Sequence, residues 1–152
     1  QREGTPRAIP VEGLTHLFPT PEALVDADLT EIGLTRARAD TIRGMSRALL
    51  DGRVDFRPER TLEDFTSRWV ALPGIGPWTA HYMALRALGH PDAFPADDLV
   101  LQKAVPTDGS RMTAKALTTR AEAWRPWRAY AVVHLWKASM PAQKAMPSVG
   151  AT

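Results

Sequence analysis

LPGIGPWTA, residues 72–80, holds two glycines around one isoleucine, then a proline, then a tryptophan heading an apolar run. Both flanks read as helices. Upstream, Thr61 suits an N-cap, and Leu62, Phe65 and Trp69 repeat a 3-then-4 spacing along one face. Downstream, Pro77 suits the first position of a helix that Gly89 ends. The stretch 61–88 is therefore expected to be a helical hairpin with an unusual turn. An ordinary interhelical turn needs one glycine at most. Glycine reaches positive φ and lets other groups approach the backbone closely. Two glycines one residue apart, ahead of a helix, can aim successive amides at one point. Those donors, with the positive end of the helix, make an anion site without side-chain charge. Ile75, between them, can face the other way and pin the turn to the core. The glycine pattern alone fits a phosphate clamp and a tight ligand-free corner equally well.

The rest of the chain reads as further short helices. Thr20 and Pro21 open one over 20–27, and Gly33 ends a second short turn. Thr35 caps a longer helix to residue 51, with Ile42, Met45 and Leu49 on one face and Gly52 as its stop. Residues 53–60 form a loop closed by Pro58. Beyond the hairpin, a loop over 90–96 leads into a helix over 97–105. After a PTDGS turn, Thr113 caps a helix to Trp124, and Pro126 opens the last one, to residue 138. The segments before residue 20 and from Ser139 onward lack periodicity. No run alternates apolar and polar residues, so no strands are expected. The predicted class is all-α, built of short, orthogonally packed helices.

Composition narrows the chemistry. At 152 residues, 44% hydrophobic and 24% charged, the chain has the size and balance of one soluble globular domain. No apolar run approaches the roughly 18 residues of a membrane span, so the expected compartment is the cytoplasm. Cysteine is absent, which removes disulfides, thiol nucleophiles, cysteine-ligated zinc and iron–sulfur clusters. His16, His81, His90 and His134 lie without metal-ligand spacing and read as core or surface residues. The net charge is +2 and the pI about 9.3, with Lys103, Lys115, Lys137 and Lys144 as the only lysines. This bias permits a nucleic-acid partner without requiring one.

An apolar-Pro-Gly-apolar-Gly turn between two helices resembles the helix-hairpin-helix motif of DNA repair proteins. The likeness continues through PWTAHYMALRALGHPDAFPADD, residues 77–98, and WRPWRAYAVVHLW, residues 124–136. Together these resemble the 3-methyladenine DNA glycosylase II (AlkA-like) branch of the helix-hairpin-helix glycosylases, and looser likeness near residue 18 and after Thr35 extends it over most of the chain. The resemblance implies that the amides of Gly74, Gly76 and Thr79 grip one DNA phosphate. It implies also that the carbonyls of Val70, Leu72 and Ile75 hold a monovalent cation beside it. Such contacts fix register without reading bases.

Asp97 and Asp98 sit at the predicted start of a helix, where acidic residues are ordinary caps. The family match puts the catalytic aspartate at Asp98 and leaves Asp97 as the expected cap. Trp78 and Tyr82, i and i+4 on one helix side, and Trp136 on the last helix match pocket positions that take a flipped, cationic base. Trp69, Trp124 and Trp127 are read as core. The implied activity is hydrolysis of the N-glycosidic bond of alkylated bases of the 3-methyladenine and 7-methylguanine type. No cofactor is implied for catalysis, and the implied partner is double-stranded DNA met by a monomer.

Three departures shape that expectation. Bifunctional relatives carry a Schiff-base lysine where this chain has Trp78, so a monofunctional, water-using enzyme is implied. Leu99 stands where some close relatives have a tyrosine beside the aspartate. The family's catalytic fold also begins before the segment that resembles Gln1. Residues 1–152 thus read as the C-terminal part of a helix-hairpin-helix glycosylase domain, with the DNA wedge residue upstream and an Ada-type fusion open. A noncatalytic helix-hairpin-helix DNA-binding module and a helical interaction domain are the alternative readings.

Overall fold

Four threonines set where helices begin. In each case the hydroxyl oxygen accepts from the amide three residues on: Thr20 from Ala23 at 3.4 Å, Thr35 from Arg38 at 3.4 Å, Thr61 from Asp64 at 3.0 Å and Thr113 from Ala116 at 3.2 Å. Each cap contributes about 1 kcal/mol by satisfying an amide that the helix leaves free. The computed structural model describes residues 16–57, 61–105 and 110–140. Its helices are α1 (Pro21–Leu24), α2 (Arg36–Leu50), α3 (Leu62–Val70), α4 (Pro77–Ala87), α5 (Leu99–Ala104), α6 (Ala114–Ala121) and α7 (Arg128–Ser139), with 3-10 turns at Leu29–Ile32 and Glu122–Trp124. Among the described residues no strand segment forms, as the all-α expectation requires, and no helix is long and apolar enough to cross a membrane. Pro58, residues 106–109 of the PTDGS turn, and residues 1–15 and 141–152 of the terminal segments lie outside the described residues.

Helix ends differ from expectation at several points. α1 stops at Leu24. α6 stops at Ala121 and tightens into the 3-10 turn through Trp124. α7 starts at Arg128, because Trp127 at φ −113° and ψ 25° is not yet helical, and it includes Ser139. Asp98, not Asp97, caps α5.

The core forms where the apolar faces meet: Phe65 and Trp69 of α3, Leu101 of α5, Leu117 of α6 and Val132 of α7 are all fully buried. α3 packs on α4, α1 on α2, and α5 on α7. Trp69 belongs to this core and Trp124 packs against it half-buried. Trp127 does not. It is 57% exposed, and its ring meets Tyr130 edge-on at 5.6 Å, one turn along α7.

A buried ion cluster ties the 90–96 loop to α7. Arg128, only 5% exposed, makes a bidentate pair with Asp92, Nε to Oδ1 and Nη2 to Oδ2, both at 2.7 Å. Arg125 adds a third donor to Asp92 and pairs with Glu122 at 2.7 Å. Burial alone would push the Asp92 carboxyl up. The hydrogen bonds and charge of Arg128, with the charge of Arg125, outweigh it and hold the group below the ordinary carboxylate value. The amide of Ala129 also donates to the Pro91 carbonyl at 2.9 Å.

Candidate active site

The hairpin turn follows from two short-range bonds. Beyond α3, the Leu72 amide donates to Trp69 O and the Ile75 amide to Leu72 O, both at 3.1 Å. Leu72 and Ile75 turn their side chains into the core, so Ile75 pins the turn as expected. The two glycines serve different ends. Gly74 sits at φ +85°, and a Cβ there would lie 2.0 Å from Thr41 Oγ1 on α2. Its close neighbour is thus a side chain of the same fold, held by a hydrogen bond from Thr41 Oγ1 to Ala37 O at 2.9 Å. Gly76, at φ −94°, has nothing within 4 Å of its virtual Cβ and opens on free space.

No side chain caps α4. Among the described residues the amides of Gly74, Gly76 and Thr79 have no hydrogen-bond partner. The carbonyls of Val70 and Ile75 are likewise without a donor, while Leu72 O keeps one lone pair beyond its turn bond. Neutral carbonyl oxygens of this kind suit a hard cation. Among the described residues no cluster of three His, Cys, Asp or Glu side chains could hold a metal ion.

α5 delivers the carboxylate. Asp98 Oδ1 accepts from the amides of Val100 at 2.8 Å and Leu101 at 3.0 Å, which locks the side chain at the helix start. Asp98 Oδ2 then faces α4 and accepts from the Trp78 indole N–H at 3.3 Å. Trp78 stacks on Tyr82, with centroids 5.1 Å apart and planes 16° apart. Tyr82 in turn meets Trp136 of α7 at 5.9 Å and 53°. One carboxylate and three rings from three helices therefore form a continuous surface. Trp78 is 38% exposed, and Tyr82 and Trp136 are half-buried, so this surface is an open face. Trp78 and Tyr82 already touch, so a flat ligand could not enter between them and would lie across their exposed sides.

Sequence reasoning missed the scaffold behind this face. His81, on α4 between Trp78 and Tyr82, accepts the Phe94 amide on Nδ1 at 3.3 Å. A cavity of about 210 Å³ lies beside it, lined by Trp78, His81, Phe94 and Arg128 among others. Asp92 and Arg128 stand 36 residues apart, and no local pattern announces the pair.

A sequence model described as HhH-GPD superfamily base excision DNA repair protein matches residues 8–129. The chain is 42% identical over 123 residues to a "probable bifunctional transcriptional activator/DNA repair enzyme AlkA" of Mycobacterium tuberculosis, covering 81% of this chain and 25% of the relative. It is 35% identical over 122 residues to DNA-3-methyladenine glycosylase 2 of Escherichia coli, covering 78% of this chain and 42% of the relative. The chain thus spans less than half the length of either relative. Among solved structures, the 3-methyladenine DNA glycosylase of Schizosaccharomyces pombe in complex with abasic DNA superposes with a TM-score of 0.72 at 27% identity, over 82% of this chain and 65% of that one. A 3-methyladenine DNA glycosylase from Archaeoglobus fulgidus gives 0.72 at 27% identity, over 91% and 48%.

Proposed function

The chain belongs to the HhH-GPD superfamily of base excision DNA repair proteins, and on that premise we propose that it is the site-bearing part of a monofunctional DNA glycosylase. It hydrolyses the N-glycosidic bond of flipped-out alkylated bases, of the 3-methyladenine and 7-methylguanine type, in double-stranded DNA. The observation that carries this reading is the Asp98 carboxylate bonded to Trp78 at the edge of three contiguous rings.

Each part has a physical task. The exposed ring faces attract a cationic alkylated base, at about 0.5–2 kcal/mol per ring contact, and tolerate varied base shapes. Such a base already carries positive charge, so it leaves with little acid assistance. Loss of the base creates an oxocarbenium-like sugar, which a fixed carboxylate stabilises electrostatically. Asp98 is held on both oxygens, so little reorganisation accompanies that charge. The same group orients or deprotonates the attacking water. Trp78 offers no amine for a Schiff base, which supports hydrolysis over lyase chemistry.

At the hairpin, the amides of Gly74, Gly76 and Thr79 bind one DNA phosphate. The carbonyls of Val70, Leu72 and Ile75 hold a monovalent cation, which adds positive charge beside that phosphate. The protein works as a monomer in the cytoplasm, on the nucleoid when DNA-bound, because one lesion requires one site.

Incubation with methylated duplex DNA is expected to release free 3-methyladenine and 7-methylguanine, detected by chromatography. Salt-dependent DNA binding with no base released would instead identify a noncatalytic helix-hairpin-helix module.

The glycines give a second test. Gly76→Ala is expected to unfold as wild type does, since its methyl meets open space, but to weaken DNA binding by about tenfold, or 1.4 kcal/mol. Gly74→Ala is expected to lose about 3 kcal/mol of stability, from its positive φ and the clash with Thr41. Denaturant titration and fluorescence anisotropy on both variants read the two effects apart. Unchanged affinity in the Gly76 variant would remove the phosphate clamp from the reading.

A further inference from the structure

We propose that His81 is a positioning residue for Asp98, acting as a neutral hydrogen-bond acceptor that ties α4 to the loop delivering the carboxylate. This rests on the function proposed above. The residues that meet at the site come from separate elements: Trp78 and Tyr82 from α4, and Asp98 from the start of α5, two residues beyond the 90–96 loop. Something must set the spacing between them. Among the described residues, His81 is the α4 side chain hydrogen-bonded to that loop, through Phe94 N to Nδ1 at 3.3 Å. Asp92, two residues before Phe94, anchors the loop to α7 instead.

The linkage from Phe94 to Asp98 is stiff. The Ala96 amide donates to Phe94 O and the Asp98 amide to Pro95 O, both at 3.0 Å. The Gln102 side chain holds Ala96 O at 2.9 Å. A displacement at Phe94 is therefore transmitted to the carboxylate. The Trp78–Asp98 bond, at 3.3 Å, already lies at the long end of the N–H···O range. A small slide of the loop would break it.

Acceptance on Nδ1 assigns the neutral proton to Nε2. Protonation would put a second N–H on Nδ1, aimed at the Phe94 amide, and turn the tether into a donor–donor clash. Burial pushes the imidazole below its ordinary 6.5. Arg128 on α7 and His90 in the loop push the same way, while Asp92 in the loop and Asp97 at the head of α5 oppose them. A lowered histidine binds its proton more readily in the unfolded chain, so the tether is complete above 6.5 and is lost as pH falls through the lower folded value.

The test is the pH profile of single-turnover 7-methylguanine release by the wild-type protein, H81N and H81L. An asparagine carboxamide oxygen reaches about the position of Nδ1 and accepts without titrating; leucine does neither. Wild type is expected to lose rate as pH falls through the folded His81 value, which burial holds below the ordinary 6.5. H81L is expected to be slower than wild type by more than tenfold at neutral pH, and the gap is expected to close as wild type loses its own tether on acidification. H81N is expected to restore at least fivefold over H81L at neutral pH and to lack the limb near histidine titration. An unchanged acid limb in H81N, or a wild-type rate in H81L, would overturn the proposal. Should the wild-type protein release no base at any pH, the function reading fails by itself. The tether is then read from the Phe94 amide nitrogen resonance, which must titrate with His81 in wild type and stay flat in H81N; a flat wild-type signal overturns it.

Discussion

Asp98→Asn is expected to slow base release by at least a hundredfold, a loss of about 3 kcal/mol or more of transition-state stabilisation. The substitution removes one charge and little else. The carboxamide oxygen can still accept from the amides of Val100 and Leu101, so the start of α5 stays capped. Asparagine is as good an N-cap as aspartate. The nitrogen that replaces Oδ2 no longer accepts the Trp78 indole, which loosens one ring without unfolding the chain. Affinity for DNA carrying an abasic site should therefore stay within a fewfold of wild type while single-turnover release collapses. Undiminished release would separate Asp98 from the chemistry and leave it a helix cap.

Asp92→Leu is expected to destabilise the fold by about 3–5 kcal/mol, the usual consequence of leaving a buried cation without its partner. Arg128 is 5% exposed and spends its guanidinium on Asp92 through two hydrogen bonds. Glu122, at 3.5 Å and half exposed, is a poor substitute. Urea titration at neutral pH measures the loss. The double variant Asp92→Leu/Arg128→Met should recover much of it, because the cost comes from the orphaned charge. The pH dependence has a definite sign. The Asp92 carboxyl lies below its ordinary 3.8 in the folded chain, so its contribution is complete above 3.8 and lost as pH falls through the lower folded value. Wild type should thus lose stability on acidification more steeply than the Asp92 variant.

These two aspartates show how unevenly the site can be read from the chain. Asp98 was singled out because it stands in a run whose likeness to known glycosylases extends across 77–98, and the structure sets its carboxylate against Trp78. Its capping of α5 was not legible. Asp97 and Asp98 are chemically equivalent as caps, and only the path of the 90–96 loop decides that Asp98 turns both oxygens to use while Asp97 stays exposed. Asp92 stands in the same run, but nothing in it marked the ion pair, since its partners follow by 33 and 36 residues. Gly74 and Gly76 read as a pair and behave as two cases. One is required by Thr41 behind the turn, the other leaves space in front of it. Trp127 read as core and lies on the surface, because α7 begins one residue after it and its ring packs along its own helix.

What the amino-acid sequence determined by itself was local: threonine caps acting over three residues, apolar spacing that marks each helix face, and a glycine turn whose Gly74 takes a positive φ that side-chain-bearing residues rarely adopt. Such features are complete within a turn or two of chain, so they survive reading one residue after another. The tertiary structure decided everything that needs two distant segments in contact. It brought the carboxylate of α5 to the indole of α4, laid Trp136 of α7 beside Tyr82, set Thr41 under the hairpin and closed Arg128 on Asp92. Those pairings follow from how whole faces pack around Phe65, Trp69 and Leu101, and no spacing along the chain records that.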